Sequence, residues 1–178
     1  MSKEIRQMID RVKNWKQFLN ENHSSINKFV YHGTTNKSKN YIPPIINFED
    51  EVGAHFGSTI EQAENAINRQ NELSNNNGDN GRILKYQITI KNGLKVPDIG
   101  RWYPNRIFDE IIEPMNLKYP KTQHYKGLGE LEISNRNADD IIQIFSENGY
   151  DGLIYDNQYE GNGESYIVFS KNQIKPIN

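Results

Sequence analysis

The chain has 178 residues, 35% of them hydrophobic and 25% charged, with a net charge of -2. That is enough apolar material for one domain, too little length for a second of ordinary size, and the wrong charge for binding that works mainly by neutralising phosphates. The absence of cysteine excludes a disulfide framework, a thiolate metal site and a cysteine nucleophile. With no signal-peptide-like run and no segment long enough to span a bilayer, a cytoplasmic protein without membrane contact is expected.

In chain order, Ile5, Met8, Ile9, Val12, Trp15, Phe18 and Leu19 share one face of an amphipathic helix within residues 1–22, read as packing on the domain. Lys28 to Tyr31 is a short strand ending in His32-Gly33-Thr34, and Asn36 to Asp50 is irregular around Pro43-Pro44. Ala54 to Phe56 is a second strand. Thr59 to Arg69 follows as a helix, with Ser58 or Thr59 as its N-cap. Leu73 to Gly81 is a loop, and Ile83 to Ile90 alternates as a strand, with a turn expected at Asn92-Gly93. Helices are predicted over Asn105 to Asn116 and Ala138 to Asn148, the latter closed by Gly149. Gly152 to Tyr155 and Ser165 to Phe169 are closing strands on either side of Glu160-Gly161-Asn162-Gly163. Strands and helices in this irregular order predict an α+β fold.

Three segments combine strand ends with ligand-capable residues. At Tyr31-His32-Gly33-Thr34, the His offers a ring N–H to a ligand hydroxyl, and the Gly lets a ligand reach the backbone. Gly53-Ala54-His55-Phe56-Gly57-Ser58 sets an aromatic between small residues, where it can stack on a flat heterocycle, although Phe56 on so short a strand suits the core equally. In Gly161-Asn162-Gly163-Glu164-Ser165-Tyr166-Ile167-Val168-Phe169, a carboxylate at the mouth of a strand can stabilise a sugar cation. The His residues at 23, 32, 55 and 124 lack the spacing of a common zinc site, so no metal is expected.

In this order the three segments resemble the diphtheria-toxin and poly(ADP-ribose)-polymerase branch of the ADP-ribosyltransferases, in particular its short bacterial and phage-encoded members. The resemblance runs from Phe29 to Ile177 and includes Gln173-Ile174-Lys175 after the last strand. It implies a split antiparallel β-sandwich with flanking helices over residues 28–178, and NAD as substrate. His32 would bond the adenine-side ribose and the Gly33 backbone the nicotinamide carboxamide, His55 with Phe56 beside it would fall at the position that stacks on nicotinamide, and Thr34, Gly57 and Ser58 would complete the NAD-binding set. Gln173 could equally support the sheet without touching ligand.

The last strand departs from the family pattern. Aligned on Tyr166-Ile167-Val168-Phe169, the catalytic glutamate position falls on Ser165, and a one-residue step turns a side chain to the other face of a strand. The catalytic set is therefore His32 with Glu164 or Ser165, and Glu160 is the fallback carboxylate. The expected activity is mono-ADP-ribosylation of a macromolecule, a protein before a nucleic acid, in a setting such as phage–host conflict. The alternatives are an inactive NAD- or protein-binding module of the same fold, or an NAD glycohydrolase. Between Lys85 and Lys126, eight Lys or Arg stand against four Asp or Glu. There, Arg101-Trp102-Tyr103-Pro104 and His124-Tyr125-Lys126-Gly127 are either target-facing loops or ordinary surface.

Overall fold

The computed structural model describes residues 23–38, 40–45, 51–73, 81–119, 122–125, 129–132 and 137–177. The predicted N-terminal helix lies outside these residues, as does most of the predicted 73–81 loop.

Two groups of strands carry the core. In one, β3 (Arg82–Lys95) lies antiparallel between β1 (His23–Thr34) and β8 (Ile174–Pro176). In the other, β7 (Glu164–Val168) lies antiparallel between β2 (Ala54–Gly57) and β6 (Gly152–Asp156). The groups meet at one end through Tyr31 opposite Gly57, and at the other through a short parallel pairing of Gly93–Lys95 with Gly152–Ile154. Between these joints they part, which is the split sandwich expected from the resemblance.

Period-two alternation sorts the core into two layers. Phe56, Ile154, Tyr166 and Val168 point toward Val30, Tyr86, Ile88 and Ile90 between the groups. Leu153, Tyr155, Ile167 and Phe169 face the opposite way, onto the helices. Helix α1 (Ile60–Leu73) packs on the end of β1. Its start is a reciprocal cap, with Gln62 N–H donating to Thr59 Oγ1 at 3.2 Å and Thr59 N–H to Gln62 Oε1 at 3.1 Å.

The helix expected near Asn105 winds differently from an α-helix. After α2 (Pro104–Ile107) the chain widens into a π-helical turn, Phe108–Ile112, in which Glu113 N–H reaches Phe108 O at 3.0 Å. The wider winding brings Ile107, Ile111, Ile112 and Met115 into one core, and it ends at Asn116 with φ 53. Helix α3 (Ala138–Glu147) has the capping box Asn137/Asp140 and ends as expected at Gly149, φ +88.

The turn expected at Asn92-Gly93 is a bulge instead. Lys91 and Asn92 N–H both donate to the Asp151 carboxylate, and β3 runs on to Lys95, while the register against β1 shifts between Ser24 and Ile26. A hairpin not expected from the sequence, β4 (Thr122–Tyr125) with β5 (Gly129–Glu132), begins at the end of the basic segment. Among the described residues no helix is long and apolar enough to cross a membrane.

Candidate active site

Where β1 parts from β2, a cavity of about 500 Å³ opens, roofed by α1 and by the loop that joins β6 to β7. That is within the usual size of a small-molecule site. His32, Gly33, Thr34, His55, Phe56, Gly57 and Ser165 all line it. Ser58 and Glu164 do not.

The His32 ring is oriented by β2, with Nδ1 at 2.9 Å from the His55 carbonyl. A carbonyl only accepts, so Nδ1 carries the proton and Nε2 is left as an acceptor. This reverses the sequence expectation of a ring N–H offered to a ligand: the N–H is spent on His55, and the ring offers a lone pair. Nε2 is buried and has no hydrogen-bond partner among the described residues. Tyr41 stacks on the ring at 5.8 Å, and Phe56 leans on it at 5.8 Å. Burial drives the His32 pKa down to about 4, with the His55 carbonyl opposing the shift, so the ring is neutral near pH 7.

Gly33 is obligatory for a different reason from ligand approach. A Cβ there would lie 1.9 Å from the Ala63 carbonyl of α1, so the strand end can pass beneath the helix only without a side chain. Thr34 is buried, and its Oγ1 accepts from Asn36 N–H at 3.1 Å. His55 holds the Val52 carbonyl through Nε2 at 3.1 Å and meets the Trp102 ring edge-on. Phe56 is 2% exposed and packs against Tyr86 at 5.4 Å, so most of its surface belongs to the core layer between the strand groups. Ser58 is taken up in joining α1 to β7: its N–H reaches the Glu164 carbonyl at 3.0 Å and its hydroxyl reaches Gln62 at 3.3 Å.

On β7 the one-residue step has the consequence anticipated. Ser165 faces the cavity and is 2% exposed, receiving Asn157 Nδ2 at 2.9 Å and Gln62 Nε2 at 3.3 Å and bonding the Tyr155 phenol. Glu164 faces the other way. Its Oε2 accepts from Lys28 Nζ at 3.0 Å and from the Tyr166 hydroxyl at 2.8 Å. Those bonds, Tyr166 first, hold its carboxyl below the usual range, and Glu164 in turn raises Lys28. The glycines before it do not bend the strand start inward, because Asp156 and Glu164 remain in register.

The carboxylate that lines the cavity next to Ser165 is Glu160. Its Oε1 is 3.2 Å from Arg69 on α1, and its Oε2 is 3.4 Å from Asn157 Nδ2. Asp98 also lines the cavity, but its oxygens accept from Gly100 and Gln158 N–H at 2.9 and 2.8 Å. Asn157, Gln62 and Arg69 were not singled out from the sequence; an Asn two residues before a Tyr-Glu-Gly turn was the available signal. Gln173, by contrast, supports the sheet, as one of its two readings had it: its amide spans Phe169, Ser170, Thr89 and Asp151 main-chain atoms.

A family model described as ADP-ribosyltransferase in polyvalent proteins matches residues 23–178. No curated protein sequence matches the chain. Among solved structures, the crystal structure of the M. tuberculosis MbcT–MbcA toxin–antitoxin complex is similar at 9% identity and a TM-score of 0.48, over 92% of this chain and 88% of that one. A likeness that distant carries no argument about activity.

Proposed function

From the premise that the chain belongs to the ADP-ribosyltransferases of polyvalent proteins, we propose that it binds NAD in the cavity between β1 and β2 and transfers ADP-ribose to a macromolecular acceptor, with Glu160 as the carboxylate at the reacting centre. The observation that carries this reading is that one cavity is lined both by His32, whose buried Nε2 has no hydrogen-bond partner among the described residues, and by the carboxylate of Glu160.

The neutral Nε2 of His32 accepts a ribose hydroxyl, which satisfies the buried atom. Gly33 and Thr34, at the end of β1, lie beside the carboxamide, and His55 and Gly57 bound the ring. The glycosidic bond then breaks with its electron pair passing to the ring nitrogen, so the pyridinium leaves as neutral nicotinamide and positive charge develops on the sugar carbon. Glu160 stabilises that charge, and the acceptor's oxygen or nitrogen forms the new bond and gives up its proton. Arg69 holds Oε1 of Glu160 at 3.2 Å, and Asn157 Nδ2 reaches Oε2 at the longer distance of 3.4 Å. Glu164 has no part, being spent on Lys28 and Tyr166 across the sheet. A phage–host setting and a protein acceptor fit this reading.

The test is nicotinamide release from NAD, followed by chromatography for wild type, Glu160→Gln and Glu164→Gln, with biotin-labelled NAD to report transfer. Loss of about 100-fold or more in Glu160→Gln, with release retained in Glu164→Gln, is the expected result. Undiminished release in Glu160→Gln refutes the assignment. Release without labelled protein would favour water as the acceptor, and binding without release a non-catalytic module.

A further inference from the structure

We propose that Asn157, locked by Ser165, is the positioning residue that aims Glu160 into the cavity; this rests on Glu160 being the carboxylate of the reaction. Asn157 is the first residue after β6 and is 6% exposed. Its Oδ1 accepts two successive main-chain donors, Tyr159 N–H at 3.0 Å and Glu160 N–H at 2.8 Å. This turn reverses the chain within three residues and fixes the Cα of Glu160. Its own N–H reaches the Gly163 carbonyl at 2.9 Å, closing the loop at its far end. The remaining group, Nδ2, donates to Ser165 Oγ at 2.9 Å and lies 3.4 Å from Glu160 Oε2. All the hydrogen-bonding capacity of one buried amide therefore goes to placing one loop.

Ser165 is the anchor. Its oxygen receives both Asn157 and Gln62, so its two lone pairs are occupied and its proton is left for the Tyr155 oxygen. A hydroxyl committed in this way is a poor nucleophile and a good fixed acceptor. The two turn N–H groups set which way the Asn157 amide faces, since an amide turned over would point its NH₂ at them, and Ser165 receives the NH₂ so directed. The chain's departure from the family pattern at this position then has a use: the serine on the strand holds a carboxylate supplied by the loop.

Glu160 pairs with Arg69 on α1 and acts on Tyr155 on β6; the other charged groups lining the cavity are Glu51, Asp98 and Arg101, and Glu61 on α1 lies beside Gly161. Against that background Asn157→Asp is a sharp probe. It keeps the acceptor for the two turn N–H groups, so the loop still forms, but it removes the donor to Ser165 and sets a second carboxylate beside Glu160.

Nicotinamide release is measured across pH for wild type, Glu160→Gln, Asn157→Asp and Ser165→Ala, with Tm for each. Asn157→Asp is expected to move the acid limb of kcat to higher pH by about one unit, because two adjacent carboxylates resist being charged together. Ser165→Ala is expected to lower kcat about tenfold or more, with KM for NAD within about threefold, the pattern of a misplaced reacting group. An unmoved acid limb in a folded Asn157→Asp, or full kcat in Ser165→Ala, overturns the positioning role while Glu160→Gln remains inactive. Activity in Glu160→Gln instead overturns the underlying assignment. If Asn157→Asp does not fold, the kcat-against-KM split in Ser165→Ala decides alone.

Discussion

Gln173 offers the cleanest separation of a structural role from a ligand role. Its Oε1 accepts from Phe169 N–H at 3.0 Å and Ser170 N–H at 2.9 Å, and its Nε2 donates to Thr89 O at 3.2 Å and Asp151 O at 2.7 Å. One side chain thus ties the end of β7 to β3 and to the start of β6. At about 1 kcal/mol net per bond, discounted because the Thr89 bond is exposed, Gln173→Ala should cost about 3 kcal/mol. For a chain of this size that lowers Tm by about 6–12 °C. Gln173→Glu keeps the acceptor for Phe169 and Ser170 but presents a carboxylate to two carbonyls. It should therefore be at least as unstable at pH 7 and recover partly on acidification, as the carboxyl gains a proton to donate. Thermal unfolding by circular dichroism gives the cost, and nicotinamide release at 25 °C gives the function. An unchanged Tm in Gln173→Ala, or release abolished in a variant that melts normally, would refute the structural account.

Three further outcomes are expected. The folded-state pKa of His32, about 4, lies below its ordinary 6.5 because burial disfavours the charged ring; the unfolded chain binds the extra proton between those values, so stability is complete above about pH 6.5 and falls by up to about 3 kcal/mol as pH drops to about 4. Urea unfolding across that window should flatten in His32→Gln, and an unaltered slope would show that His32 is not the group responsible. Gly33→Ala should destabilise by more than about 2 kcal/mol, since the new Cβ meets the α1 main chain at 1.9 Å; a urea midpoint equal to wild type would contradict the packing. Glu164→Gln should change stability by about 1 kcal/mol or less, because Lys28 and Glu164 have side chains 50% and 35% exposed, and the deficit should vanish at low pH, where the wild-type carboxyl is also neutral.

Much of the fold could be read from the sequence because its signals were local. Alternation marks β3, Gly149 ends α3, and Thr59, one of two candidate N-caps, starts α1. At Asn92-Gly93 a distant residue decided a local ambiguity. Asn92-Gly93 has the composition of a hairpin turn, yet the Asp151 carboxylate, far away in sequence, accepts from the N–H groups of Lys91 and Asn92, and the strand runs on to Lys95. The segment after Pro104 has helical composition and does wind as a helix, but over Phe108–Ile112 it takes the wider π form, with Ile107, Ile111, Ile112 and Met115 buried in one core. No local window of sequence contains the Asp151 contact.

The site divides along the same line. The strand-borne positions were legible: the register of Tyr166-Ile167-Val168 placed Ser165 on one face and Glu164 on the other, and the structure has Ser165 toward the cavity and Glu164 against Lys28. The loop-borne positions were not. Glu160 had been only a fallback, because in sequence it is one acidic residue beside a Gly-rich turn, and what singles it out is made by α1 and by Asn157. A strand fixes a side chain to within one of two directions, so moving a carboxylate off the strand removes that guarantee. The turn geometry must restore it, and in this chain the restoring contacts are the two N–H groups held by Asn157 and the hydroxyl that holds Asn157 in place. A serine at the family's glutamate position is therefore better understood together with the loop that follows β6 than by itself. The same reasoning implies that exchanging Ser165 for Glu would not improve the site, because it would evict the acceptor that orients the loop.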